Sequence, residues 1–113
     1  MKITRLPNGE QAYIPAPKLD DYLLADTHPI GRLKAKFFQA LGFSKANREE
    51  LERQLLHIAQ TSPVVSVTTS PHGEKFIIDG TLRTPPGTAA RVRTIWIIDA
   101  GERRPRFVTA YPL

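Results

Sequence analysis

Lys34 and His28 are the residues on which chemistry in this chain would begin, a primary ammonium and an imidazole six positions apart. From Pro29 the apolar residues Ile30, Leu33, Phe37, Phe38 and Leu41 recur at three- and four-residue intervals, which predicts a helix over 29–41 that Gly42 stops. At about 100° per residue, Lys34 falls inside the apolar arc between Phe37 and Phe38, while Arg32 and Lys36 fall on the wetter side. An ammonium so placed either lays its stem along apolar surface with its head in water, or serves as a phosphate ligand or catalytic cation. His28 precedes Pro29 at the first helical position, where the missing proline N–H costs nothing. A helix start favours anions through its unpaired N–H groups, and an imidazole exchanges protons near neutral pH. The plainer alternative is that His28 or Thr27 only caps the helix.

Composition bounds what these groups can belong to. At 113 residues and 41% hydrophobic content, the chain is expected to form one domain over 1–113 with a modest core. It has no cysteine, which rules out disulfides and thiolate zinc sites. The histidines His28, His57 and His72 lie far apart, and the acidic residues form no aspartate cluster. A chemistry without metal or other cofactor is therefore expected. No apolar run approaches the roughly 20 residues that span a bilayer, so a soluble, cytoplasmic protein with no membrane partner is expected. Sixteen Lys and Arg against eleven acids, a net charge of +5, suit a nucleic-acid binder and many other basic proteins as well.

The elements that must position the chemistry follow from the pattern. Pro7, Asn8, Gly9, Pro15 and Pro17 mark 1–17 as an arm of turns and extended pieces, with a short strand over 12–14. Leu19, Tyr22 and Leu23 mark a short helix over 18–24, and the helix of Lys34 follows. Asn47 is placed to cap a second long helix with Glu49 and Glu50 in its first turn and Leu51, Leu55, Ile58 and Ala59 as its buried stripe. His57 lies off that stripe as a solvated residue. The helical half, 18–61, ends at Pro63, and 64–112 reads as strands over 64–69, 75–81, 89–98 and 106–111 with glycine-containing connectors. Helices followed by strands on short links predict an α+β fold: two long helices and one short one packed on a four-stranded antiparallel sheet. No internal repeat or low-complexity segment interrupts it.

Alternation divides the third strand into two faces. Ala90, Val92, Thr94, Trp96 and Ile98 share one; Arg91, Arg93, Ile95 and Ile97 share the other. If the first set packs on the helices, Arg91 and Arg93 lie on the open face; otherwise Thr94 and Trp96 are exposed there. On the last strand Phe107, Thr109 and Tyr111 alternate against Arg106, Val108 and Ala110. Tyr111 is either a core tyrosine or an exposed hydroxyl.

The stretches Lys-Leu-Asp-Asp-Tyr-Leu-Leu from Lys18, His-Pro-Ile-Gly-Arg-Leu-Lys-Ala from His28, Val-Arg-Thr-Ile-Trp-Ile-Ile from Val92 and Val-Thr-Ala-Tyr-Pro from Val108 resemble a bacterial domain family of about this length. Its members occur alone and at the C-termini of larger, toxin-like proteins. The resemblance runs from Leu6 over nearly the whole chain. Its most specific element is the pairing of His-Pro-x-Gly-x-x-Lys-Ala with Arg-Thr-x-Trp and Thr-Ala-Tyr-Pro. The order of elements is also similar to that of the barnase, EndoU, colicin and RelE group of metal-independent ribonucleases.

That resemblance implies a ribonuclease toxin that cleaves RNA by attack of a 2′-hydroxyl on the adjacent phosphate. The residues here that suit such chemistry are His28 as acid or base, Lys34 and Arg93 on the phosphate, Thr94 for a phosphate hydrogen bond and Tyr111 in a second proton-transfer or positioning role. Trp96 would stack a base and Thr109 would contact substrate. Each has a plainer counterpart: a core tryptophan, a solvated strand arginine, a β-branched strand former. A toxin also implies an antitoxin or immunity protein as partner. The alternative is a non-catalytic module of such a pair that binds nucleic acid or protein.

Overall fold

The computed structural model describes residues 4–19 and 32–113. A short turn of helix, α1 (Ala16–Lys18), is followed by α2 (Arg32–Ala40) and α3 (Arg48–Thr61), then by strands β1 (Val64–Ser70), β2 (Gly73–Arg83), β3 (Ala89–Asp99) and β4 (Arg106–Pro112). The strands form one antiparallel sheet in the order β1-β2-β3-β4, as their short connections require. The α+β fold and the antiparallel sheet thus agree with the sequence. Two long helices do not: α3 has 14 residues, whereas α2 has nine within the described residues. Of the helix expected over 18–24 only residues 18 and 19 are described: Lys18 is the last residue of α1, which begins earlier than expected at Ala16, and Tyr22 lies outside the described residues.

Gly42 ends α2 as expected. Its φ of 101° is left-handed, and the bonds from Gly42 N to Gln39 O (2.9 Å) and from Phe43 N to Phe38 O (3.0 Å) form a Schellman closure. The same closure turns Phe43 back onto Phe38, and both are buried. The start of α3 differs from expectation. Asn47 makes no side-chain cap on α3; its Oδ1 instead accepts from Ser44 N at 2.7 Å while Ser44 Oγ accepts from Ala46 N at 3.2 Å. This capping box opens a 3₁₀ turn at Lys45–Asn47 that runs on into α3, so the chain is capped one turn earlier.

The helices cover one face of the sheet. Leu51, Leu55, Ile58 and Ala59 of α3 are buried, as the periodicity predicts, and pack with Phe38 and Phe43 against Phe76, Ile78, Leu82, Val92, Trp96, Phe107 and Ala110 of the sheet. Each fully buried large side chain contributes about 1.5–3 kcal/mol. Gly80 of β2 lies directly under α3, where an added Cβ would sit 2.7 Å from Ile58 Cγ1 and Cγ2. Close helix–sheet approach needs a residue without a side chain here.

The arm is fastened at the far side of the sheet. Tyr13 bridges to Arg106 in parallel, with Tyr13 N donating to Pro105 O and Phe107 N donating to Tyr13 O, each at 3.0 Å. Asn8 Nδ2 donates to Arg103 O and Arg104 Nε to Gln11 O, both at 3.0 Å, and the Arg104 guanidinium lies 4.2 Å from the centre of the Tyr13 ring. At its start the arm meets the junction of α3 and β1, where Val64 N donates to Thr4 O and Arg5 Nη1 to Thr61 O at the end of α3.

Candidate functional site on the open sheet face

Register settles which face of β3 is open. Val92, Thr94 and Trp96 are buried under the helices, and Arg91, Arg93, Ile95 and Ile97 belong to the other face. Asp79 pairs with Arg93 across β2–β3, and Arg93 with Tyr111 across β3–β4, so the three form one row on that face. Thr81 and Arg91 form the adjoining row on one side, with Arg91 Nη1 donating to Thr81 Oγ1 at 3.0 Å. Ile77, Ile95 and Thr109 form the row on the other side. Beyond it lie Lys75, Ile97 and Arg106.

Arg93 is held rigidly. Its Nε donates to Asp79 Oδ1 at 2.8 Å and its Nη2 to Asp79 Oδ2 at 2.9 Å, a planar fork that fixes the guanidinium and leaves Nη1 outside the pair. The Asp79 hydrogen bonds hold Arg93 even more firmly protonated than usual, against some desolvation, and Tyr111 adds a smaller contribution of the same sign. Asp79 in turn is pulled below the ordinary carboxylate range, first by the Arg93 hydrogen bonds and then, through charge, by Arg93 and Arg91. A second bidentate pair, Arg106 Nε and Nη2 on Asp99, each at 3.0 Å, lies toward the other end of the face and lowers Asp99 in the same way.

These two carboxylates set an acid response. Each has a folded pKa below its unfolded value, so its contribution to stability is full above roughly pH 4 and disappears as pH falls through the lower folded value. The denaturation midpoint should therefore stay nearly level from about pH 7 to 5 and drop below about pH 4. In an Asp79→Asn/Asp99→Asn variant the acid drop should be shallower; an unchanged slope would show that the pairs do not set it.

The remaining expected site residues fall in different places. Thr94 is fully buried; its hydroxyl donates to Ile78 O at 2.7 Å and accepts from Trp96 Nε1 at 2.9 Å. Trp96 is buried with it, edge-on to Phe107 at a ring separation of 5.2 Å. Neither reaches the open face. Thr94 is spent on satisfying the buried indole and has no hydroxyl proton left for a phosphate, and Trp96 offers no ring face to a base. Lys34 lies in α2 next to buried Ala35, and α2 packs against β4; the Lys34 side chain and His28 lie outside the described residues. Arg93, Tyr111 and Thr109 are thus the expected residues that the structure brings together. His57 is exposed on α3, as expected, in a shallow depression with Glu50, Arg53, Gln54 and Arg83.

Asp79 is the participant that residue-by-residue reading missed. The signal was present in the hairpin: once Arg83 is placed opposite Ala89, Asp79 falls opposite Arg93. Among the described residues no three His, Asp or Glu side chains converge as metal ligands would, and no helix is long and apolar enough to cross a membrane.

Fold and site together define an α+β domain with helices on one face of an antiparallel sheet and an arginine-bearing face opposite them. The chain belongs to the family described as "Domain of unknown function (DUF6883)", whose model matches residues 5–113. Among solved structures it is similar to a chain of the "Contact-dependent growth inhibition toxin - immunity protein complex from Klebsiella pneumoniae 342", with a TM-score of 0.71 and 18% identity over 92% of this chain and 95% of that one. At that identity the likeness is one of fold. No curated protein sequence matches significantly.

Proposed function

We propose that this chain is a toxin domain of the barnase/RelE-like kind that cleaves RNA without a metal, acts in the cytoplasm and is held in check by a cognate immunity protein. The observation that carries this reading is the Asp79–Arg93–Tyr111 row, a guanidinium fixed beside a phenol on the face away from the helices. Arg91 and Thr109 stand on either side of it on that face. The neighbouring fold comes from a growth inhibition toxin–immunity complex, which supports a place in such a pair and a protein partner.

In this reading the 2′-oxygen attacks phosphorus and gives its proton to His28. The bond from phosphorus to the 5′-oxygen breaks, and Tyr111 supplies that oxygen's proton. The products are a 2′,3′-cyclic phosphate and a 5′-hydroxyl. Arg93 and Lys34 stabilise the charge that develops on the phosphoryl oxygens, and Thr109 contacts the substrate. Trp96 and Thr94 support the sheet from below.

The test is cleavage of RNA in the presence of a chelator, compared with the same strand carrying a single 2′-deoxyribose at the cut position. Cutting should survive the chelator and stop at the deoxy position. Cutting of the deoxy strand would overturn the mechanism. A second reading, a binding module of a toxin–immunity pair, is favoured by one observation: Arg93 already has its charge matched by Asp79. It predicts binding of nucleic acid or of the partner protein with no cleavage, and, where RNA is bound, the salt dependence would come from cations other than Arg93.

A further inference from the structure

The sheet treats its two edges differently. The outer edge of β4 is occupied at its start by Tyr13, whose N–H and C=O are both engaged, and the strand ends at Pro112, which has no N–H to offer. The outer edge of β1 is met by the arm at Val64 alone, and along Ser66 to Ser70 no described strand lies beside it. Edge strands are ordinarily protected by charges, proline or a covering segment. Here β1, Val-Val-Ser-Val-Thr-Thr-Ser, is the strand with no charged residue, whereas β2, β3 and β4 each carry at least one. Val65, at the register shift near the start of β1, is 54% exposed, one of two large hydrophobic side chains so exposed among the described residues.

We propose that β1 pairs antiparallel with β1 of a second copy of this chain, joining two four-stranded sheets into one of eight. Charge argues for a second copy at this edge. Two molecules that each carry +5 repel over most of their surfaces, and an uncharged strand is where they meet with least opposition. Sequence symmetry fits as well. A two-fold axis at Val67, the middle of the strand, sets Ser66 opposite Thr68 of the second copy and Val65 opposite Thr69 of the second copy. Hydroxyl residues then face each other on the open side, a favourable cross-strand pairing. Because the β4 edge is engaged by Tyr13, the contact closes as a dimer and does not propagate into a filament. One strand pair buries much less than the roughly 1,200 Å² of a standard interface, so a dissociation constant of about 10–100 μM is expected.

Sedimentation velocity on the full chain, from about 5 to 500 μM, brackets that range. The wild type should pass from monomer to dimer. Ser66→Lys/Thr68→Lys opposes like charges in the stated register and should remain monomeric, whereas Ser66→Lys/Thr68→Glu sets each lysine opposite a glutamate and should dimerise at least as tightly as the wild type. Both positions are exposed, but Thr68 lies opposite Lys75 of β2, which disfavours lysine and favours glutamate there within one chain. A thermal melt of each variant therefore confirms that the two proteins compared are folded, and the remaining difference reads register. A wild type that stays monomeric at the highest concentration would overturn the proposal, leaving the edge to a different partner. So would Lys/Lys and Lys/Glu variants that behave alike.

Discussion

Arg93→Ala should slow RNA cleavage by about 10²–10³-fold, the loss that follows removal of one fixed donor from a developing oxyanion. The size of the effect comes from preorganisation. Two hydrogen bonds to Asp79 hold the guanidinium before substrate arrives, so little ordering remains to be done in the transition state. Asp79→Asn separates charge from placement: the cation stays but its anchor weakens, and a loss of about tenfold is expected, mostly in the rate of the bound complex. Single-turnover rates at saturating enzyme, with circular dichroism to confirm the fold, read both. An Arg93→Ala protein that is folded and cleaves at the wild-type rate would remove the row from the mechanism, even if cleavage itself is established by the deoxy-substrate test.

Gly80→Val should cost about 3 kcal/mol or more of stability, at the upper end for overpacked cores. The new Cβ alone would lie 2.7 Å from two carbons of Ile58, so either α3 rises off the sheet or Ile58 leaves its rotamer. Ile58→Ala opens space at the same point, and the Gly80→Val/Ile58→Ala protein should be more stable than the sum of the two single losses implies. Urea denaturation of the four proteins gives the coupling directly. Additive losses would show that some other contact makes glycine necessary at this position.

The strands and the stripe of α3 were readable in the sequence because each rests on local periodicity. Leu51, Leu55, Ile58 and Ala59 keep helical spacing, and the β-branched runs after Pro63 are cut by turn residues that permit little except hairpins. The open face of β3 was not readable, since Val92, Thr94 and Trp96 are no more obviously core residues than Ile95 and Ile97. Cross-strand register and the position of α3 decided it. The same limit explains Thr94 and Trp96. Their motif spacing, Arg-Thr-x-Trp, was visible, but its meaning is a hydroxyl placed to satisfy an indole in the core, and that requires knowing which side of the sheet is dry. Asn47 misled because a 3₁₀ turn precedes α3 and moves the effective start to Ser44. Of the first pair considered, His28 and Lys34, the backbone position of Lys34 in α2 lies within the described residues.

The clasp between residues 8–13 and residues 103–107 governs how this molecule is completed. Its partners are separated by more than ninety positions, so the border strand is finished only when residues 103–107 return to residues 8–13. Contacts of such long sequence separation form late, because the loop they close must first lose its freedom. Until then an unshielded β4 offers its hydrogen-bonding groups to any neighbouring chain. Folding and self-protection are thereby coupled: the domain is most adhesive just before these two distant segments meet.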